Sequence, residues 1–279
     1  MRLTFWGTRG SLATPGAATS RYGGNTSCVE VRTDDPHHVV VLDAGTGIRP
    51  LGEALGPDVR RVDVLLGHLH LDHIVGLGFF AGFFRPDTDV HVWGPASTTR
   101  GLRSRLTRYL SPPLFPVRLR DLPARPHIHD VPLGRFEIPG LDVEAQLICH
   151  PDPTVGYRLT DGTSTVAYLS DHEPALGSVA FPTSARWMSG ARLANGADLL
   201  VHDAQYLADE YPQHVGWGHG SLDHAIAFAR RLAIPRLVGF HHDPGHDDDC
   251  LARAYAAVAD LPDLDVSAAR EGTTLSVGR

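Results

Sequence analysis

The stretch GHLHLDHIVGL, residues 67–77, sets His68, His70, Asp72 and His73 among leucine, glycine and other apolar residues. Polar groups in such surroundings need partners, because burying them alone costs free energy. His68 and His70 stand two residues apart, so on an extended chain they point to the same side. Asp72 and His73 follow the turn and can aim at a second position a few Å away. One short stretch can thus feed two metals. Neutral imidazole and carboxylate favour zinc, with manganese or iron as alternatives.

The partners come from further along the chain. VDVLLGHLH ends in His68 and His70, AQLICH in His150, TVAYLSD in Asp171, ADLLVHD in His202 and Asp203, and RLVGFHH in His241 and His242. Five apolar runs each finish in an imidazole or a carboxylate. In layered α/β folds strand ends gather at one edge of a sheet, where ligands bind. Histidine is abundant, at 17 of 279 residues, and often stands beside aspartate. His246 and the aspartates of HDPGHDDD are read instead as a solvated turn that caps a helix.

The elements that must position these groups are visible as patterns. RLTFWG, TSCVEVRT, HHVVVLDAG and RRVDVLLG read as strands, separated by Gly/Pro-rich turns. GPASTTRGLRSRLTRYL reads as a helix beginning near Pro95 and stopping before Pro112. SLDHAIAFARRLA is a helix with Ser221 as N-cap and an apolar stripe of Leu222, Ala225, Ile226, Ala229 and Leu232. Aspartates open DDDCLARAYAAVAD, as the helix dipole favours. Residues 111–140 are proline-rich and read as a long ordered loop with short strands, a rim over a site. Phe79, Phe80, Phe83 and Phe84 are assigned to core or to a dimer contact.

The net charge of −7, without a Lys/Arg-rich block, argues against a large nucleic-acid footprint. Cys28, Cys149 and Cys250 are dispersed and form no C-x-x-C, which fits a reducing compartment. The N-terminus lacks an apolar h-region and no run is long enough to span a bilayer, so the expectation is a cytoplasmic protein acting away from membranes. No linker divides the chain, and residues 1–279 are expected to form one domain.

HLHLDH matches the H-x-H-x-D-H signature of the metallo-β-lactamase superfamily, which this chain resembles along nearly its whole length. VHDAQY, GWGHGSLDHA and LVGFHHDP resemble its phosphodiesterase branch, which includes RNase Z and cyclic-phosphate phosphodiesterases. The resemblance implies an αββα sandwich, two mixed β-sheets flanked by helices, with a binuclear metal site at one edge. Carried over, His68, His70 and His150 would bind one metal, Asp72, His73 and His241 the other, and Asp171 would bridge them. His241 rather than His242 follows its strand in the family's register. Asp203 and His219 would pair. A homodimer is also implied.

The function expected is hydrolysis of a small or cyclic phosphodiester by a hydroxide held between two divalent metals, most simply Zn²⁺, with Mn²⁺ or Fe²⁺ as substitutes. Asp72 would serve in that catalytic core. His219, oriented by Asp203, would protonate the leaving oxygen. The alternatives are an RNase Z-like RNA-processing endonuclease and a lactone or thioester hydrolase. Against the endonuclease stands the absence of room for a long Gly/Pro-rich tRNA-gripping arm between Asp171 and Asp203. Asp43, which ends a buried strand, would either orient a ligating imidazole or cap the turn that follows it.

Overall fold

The computed structural model describes residues 1–278 except Leu176 and Val179. Fourteen strands form two seven-stranded sheets. The first contains β1 (Arg2–Gly7), β2 (Cys28–Arg32), β3 (His38–Leu42), β4 (Arg61–Leu65), β5 (Asp89–Pro95), β6 (His127–Val131) and β14 (Thr274–Ser276). The second contains β7 (Gly134–Ile138), β8 (Leu141–Leu147), β9 (Val155–Thr160), β10 (Thr165–Leu169), β11 (Leu199–Asp203), β12 (Arg236–Phe240) and β13 (Asp265–Ala268). Their orders are 14-1-2-3-4-5-6 and 13-12-11-10-9-8-7. Both sheets are mixed: β3 to β6 and β10 to β13 run parallel, and the hairpins β1–β2 and β7–β8–β9 run antiparallel.

Burial on both faces explains why the central strands read as unbroken apolar runs. In β3, Val40 and Leu42 face the second sheet, while Val39 and Val41 face outward. The inner layer joins Leu3, Phe5 and Leu65 to Tyr157, Tyr168, Val201 and Phe240. The outer faces are covered by helices. α1 (Ile48–Ala54) and α3 (Leu102–Tyr109) pack Ile48, Leu51, Leu102 and Leu106 on the first sheet. α5 (Leu222–Arg231) and α6 (Asp248–Ala256) pack Ala225, Phe228 and Leu251 on the second. Two further helices are short: α2 (Leu71–Ile74) and α4 (Ala191–Ala194). This is the αββα sandwich.

Two expectations need correction. The helix expected from Pro95 begins at Leu102, because Pro95 still pairs with Val131 at the end of β5. Its start is set from a neighbouring strand, where the Asp130 carboxylate accepts the Leu102 N–H at 3.0 Å. The short strands expected in residues 111–140 are β6 and β7, which belong to different sheets, so this segment carries the chain from one sheet to the other. The 246–249 turn is not solvated as a whole. Asp247 caps α6 through the Cys250 N–H, but His246 and Asp248 are buried, His246 against Glu210 and Asp248 accepting the Arg21 and Tyr22 N–H groups. The four phenylalanines divide, with Phe80 and Phe83 in the core and Phe79 and Phe84 exposed.

Candidate metal centre

The five strand ends converge. β4, β8, β10, β11 and β12 finish at Leu65, Leu147, Leu169, Asp203 and Phe240, and the donors lie at those ends or in the residues just beyond. His70 is extended and forms the N-cap of α2, whose single turn carries Asp72 and His73 inward. Two four-residue donor clusters result, His68–His70–His150–Asp171 and Asp72–His73–Asp171–His241, adjoined by a three-residue group, Asp203–His219–His241. Asp171 belongs to both.

The distances have the scale of coordination. Donors held about 2.0–2.1 Å from one tetrahedral zinc sit roughly 3.3–3.4 Å from each other. His73 Nε2 lies 3.0 Å from Asp171 Oδ1 and 3.2 Å from Asp72 Oδ2. His241 Nε2 lies 3.2 Å from Asp72 Oδ2, 3.3 Å from Asp171 Oδ1 and 3.3 Å from His73 Nε2. In the other cluster His150 Nε2 is 3.3 Å from His70 Nδ1 and 3.8 Å from Asp171 Oδ2, and His68 Nε2 is 3.6 Å from the same oxygen. His68 is 1% exposed, yet among the described residues neither of its ring nitrogens has a hydrogen-bond partner. Orphaned polar atoms at that depth cost about 1–3 kcal/mol each. Divalent cations fit this donor set and would satisfy those atoms.

Electrostatics points the same way. Burial pushes the Asp171 carboxyl up, but the imidazoles of His241, His73 and His68 outweigh it and hold the group well below the ordinary carboxylate range. Burial likewise opposes ionisation of Asp72, and His73 and His241 override it. Burial presses the His68 and His150 imidazoles downward, toward the neutral form that ligates metals. For His73 burial is outweighed by Asp171, Asp72 and Asp43, which draw positive charge into the site.

The surroundings fix the ring orientations. The His73 Nδ1 atom lies 2.9 Å from Asp43 Oδ2, and His150 Nδ1 donates to the Gly218 carbonyl at 2.9 Å, so both rings turn Nε2 inward. Of the two roles open to Asp43, the structure displays the first: it contacts the His73 imidazole and also accepts from the Gly67 N–H, Tyr168 and Ser170. Asp72 is steadied by the Ser11 N–H at 2.8 Å. Asp43 and His241 both adopt left-handed backbone, φ 59° and 61°, a strained state for non-glycine residues. Gly218 has φ 91°, and a Cβ there would lie 2.5 Å from His150 Nδ1, so only glycine brings its carbonyl to that ring.

His242 points away, with Nε2 3.4 Å from the Ala269 carbonyl. Cys149 lies outside the donor clusters and is free. His219 Nδ1 donates to Asp203 at 2.8 Å and lies 4.0 Å from Asp171 Oδ2, with its ring stacked 5.0 Å from that of His241. Burial would lower its pKa, but Asp203 outweighs that, aided by Asp171 and Asp72, and pushes it up to about 9. Sequence reasoning missed Glu173. This buried carboxylate accepts from Tyr211 Oη and from the Gly216 and Gly218 N–H groups, fastening the loop that presents His219. SDHE showed the residue, but its partners lie some forty positions on.

Comparison with known proteins agrees with this geometry. A β-lactamase superfamily domain model matches residues 38–242. The ribonuclease Z of Thermococcus gammatolerans is 22% identical over 244 residues, covering 73% of this chain and 74% of its own. The metallo-β-lactamase fold protein YhfI of Bacillus subtilis superposes with a TM-score of 0.71 at 18% identity, over 99% of both chains. A diphosphatase of the PhnP family superposes with a TM-score of 0.70 at 19% identity, over 99% of this chain and 97% of its own. The family model spans most of the chain, including all of the donors named above, and the chain therefore belongs to the β-lactamase superfamily, in its metallo-β-lactamase fold.

Proposed function

We propose that the protein is a binuclear metal-dependent phosphodiesterase acting on a small or cyclic phosphodiester. The observation that carries this reading is the position of the Asp203–His219 pair, whose imidazole reaches within 4.0 Å of the carboxylate shared by both donor clusters. A hydrolase that only polarises a carbonyl has less need of a protonated imidazole there. His68, His70 and His150 would hold one ion and Asp72, His73 and His241 the other, with Asp171 available to both. Zinc suits this set of imidazole and carboxylate donors. When bound, the ions supply a nucleophile from water at neutral pH and positive charge for the phosphoryl oxygens.

The chain's own residues do the rest. Asp43 and the Gly218 carbonyl orient His73 and His150. Asp203 holds His219 protonated, and His219 Nε2 gives its proton to the departing oxygen. Glu173 keeps the turn bearing His219 against the site. A cytoplasmic setting accords with three free, dispersed cysteines, and no helix among the described residues is long and apolar enough to cross a membrane.

The ribonuclease Z relatives favour a second reading, endonucleolytic processing of RNA. One experiment separates the readings: metal analysis of the purified protein, then turnover of bis-p-nitrophenyl phosphate, 2′,3′-cyclic nucleotides, precursor tRNA and a simple lactone side by side. The proposal expects bound metal and highest kcat/KM on a small phosphodiester. Preferred cleavage of precursor tRNA, with strong salt dependence, would establish the second reading. Preferred lactone turnover would overturn both.

A further inference from the structure

A second group of imidazoles lies outside the centre described above. Asp89 and His91 sit two residues apart on β5 and share one face of the strand. His127 is the direct partner of His91 on β6, and the two rings stack 4.8 Å apart at 21°. Asp89 Oδ2 lies 3.0 Å from His91 Nε2, and its Oδ1 lies 3.6 Å from His127 Nε2. These separations bracket the roughly 3.3–3.4 Å expected between two donors on one tetrahedral zinc.

The remaining contacts prepare the group for a cation. His91 Nδ1 and His129 Nε2 are 2.9 Å apart. His129, partly buried, thus engages the Nδ1 atom of His91. Asp89 can only accept, so His91 Nε2 donates to it, and a bound metal would take the place of that proton. A ligating histidine whose second nitrogen is engaged in this way is the usual metal-site arrangement. Arg61 forks onto Asp63 at 2.7 and 3.2 Å and pairs only loosely with Asp89, at 3.7 Å. Asp89 and His127 are half-exposed or more, so an ion can enter from solvent.

We propose that Asp89, His91 and His127 form a third divalent-metal site, for zinc or another imidazole-preferring transition ion, that fastens the edge strand β6 to β5. The site is separate from the first two. Asp89 pairs across from Arg61 at the start of β4, whereas His68 lies beyond the end of that strand, about 20 Å further along. β6 ends its sheet, and its free edge is the place where a cross-strand clamp adds most to order. This inference does not depend on the hydrolytic reading.

Equilibrium dialysis of the full chain against Zn²⁺ near neutral pH, read by atomic emission, tests it together with His91→Gln and His127→Gln. His127 lies on the edge strand and His91 on the strand beside it, and circular dichroism confirms that each variant is folded. The expectation is three equivalents of zinc in the parent protein and two in each variant, with phosphodiester turnover unchanged. Substitution of His150 by Ala provides the converse arm, reducing binding at the hydrolytic centre and sparing the third equivalent. Saturation of the parent at two equivalents would overturn the proposal. So would a third equivalent that survives both the His91→Gln and His127→Gln substitutions.

Discussion

Replacing Asp43 by Asn tests whether the metal centre depends on a carboxylate that touches no metal. Asp43 is fully buried. Its Oδ1 accepts the Gly67 N–H at 2.7 Å, and its Oδ2 faces His73 Nδ1 at 2.9 Å, Tyr168 Oη at 2.8 Å and Ser170 Oγ at 3.2 Å. Asparagine keeps the shape but has one acceptor oxygen and an NH₂. If the NH₂ faces Gly67, two donors oppose each other and a buried N–H is orphaned, at a cost of about 1–3 kcal/mol. If it faces His73, the hydroxyls can rotate to accept, but the imidazole must move its proton to Nε2, the atom that faces Asp72, Asp171 and His241. In either orientation the negative charge behind His73 is lost. Removing such an outer partner typically weakens metal affinity about 10–100-fold, or roughly 1.4–2.8 kcal/mol. Zinc competition against a chromophoric chelator reads the affinity, and urea unfolding of the metal-free protein reads stability. Tyr168→Phe is the control: it removes one donor to Oδ2, leaves the His73 contact, and should change zinc affinity less than about threefold. Zinc binding by Asp43→Asn within threefold of the parent at both positions would refute the reasoning.

Other outcomes follow from the same contacts. In Asp203→Asn the carboxylate that raises the His219 pKa is gone, so the acid form disappears at lower pH and the alkaline limb of the kcat/KM profile moves down; an unmoved limb assigns the proton to another group. His219→Ala should depress turnover of alkyl phosphodiesters much more than of p-nitrophenyl esters, with metal content unchanged; equal losses would remove His219 from the acid role. Glu173→Gln should lower kcat about 10–100-fold by loosening the His219 turn, while zinc stoichiometry stays constant. His202 is buried and neutral, with burial lowering its pKa to about 4, below the ordinary 6.5. Its folded form binds fewer protons than the unfolded chain between those values, so stability falls as pH drops through that window, by up to about 3 kcal/mol for this group. Urea titrations at pH 7 and 4.5 should show a smaller pH dependence in His202→Asn than in the parent.

Much of the site was legible in one dimension because strand chemistry is local. An apolar β-branched run marks a buried strand, and the polar residue that ends it has left the layer where only apolar groups are stable. His68, His70, His150, Asp171, Asp203 and His241 carry that signal, and Asp72 and His73 follow it within one turn. HHVVVL likewise reads as a buried strand, whereas the sandwich was implied by the family resemblance. What local pattern does not contain is which sheet a strand joins and what lies across from it. The short strands expected within residues 111–140 gave no sign of their sheet, and β6 and β7 part into different ones. Asp43 left two roles open until Gly67, His73, Tyr168 and Ser170 were brought against it from three later segments. Glu173 was silent because its donors sit beyond β11. The imidazoles of β5 and β6 become one group only through strand register. Sequence determined the kinds of donor and the strand ends that release them; tertiary structure decided their company, because hydrogen bonds and coordination depend on distances of about 3 Å that chain separation does not encode.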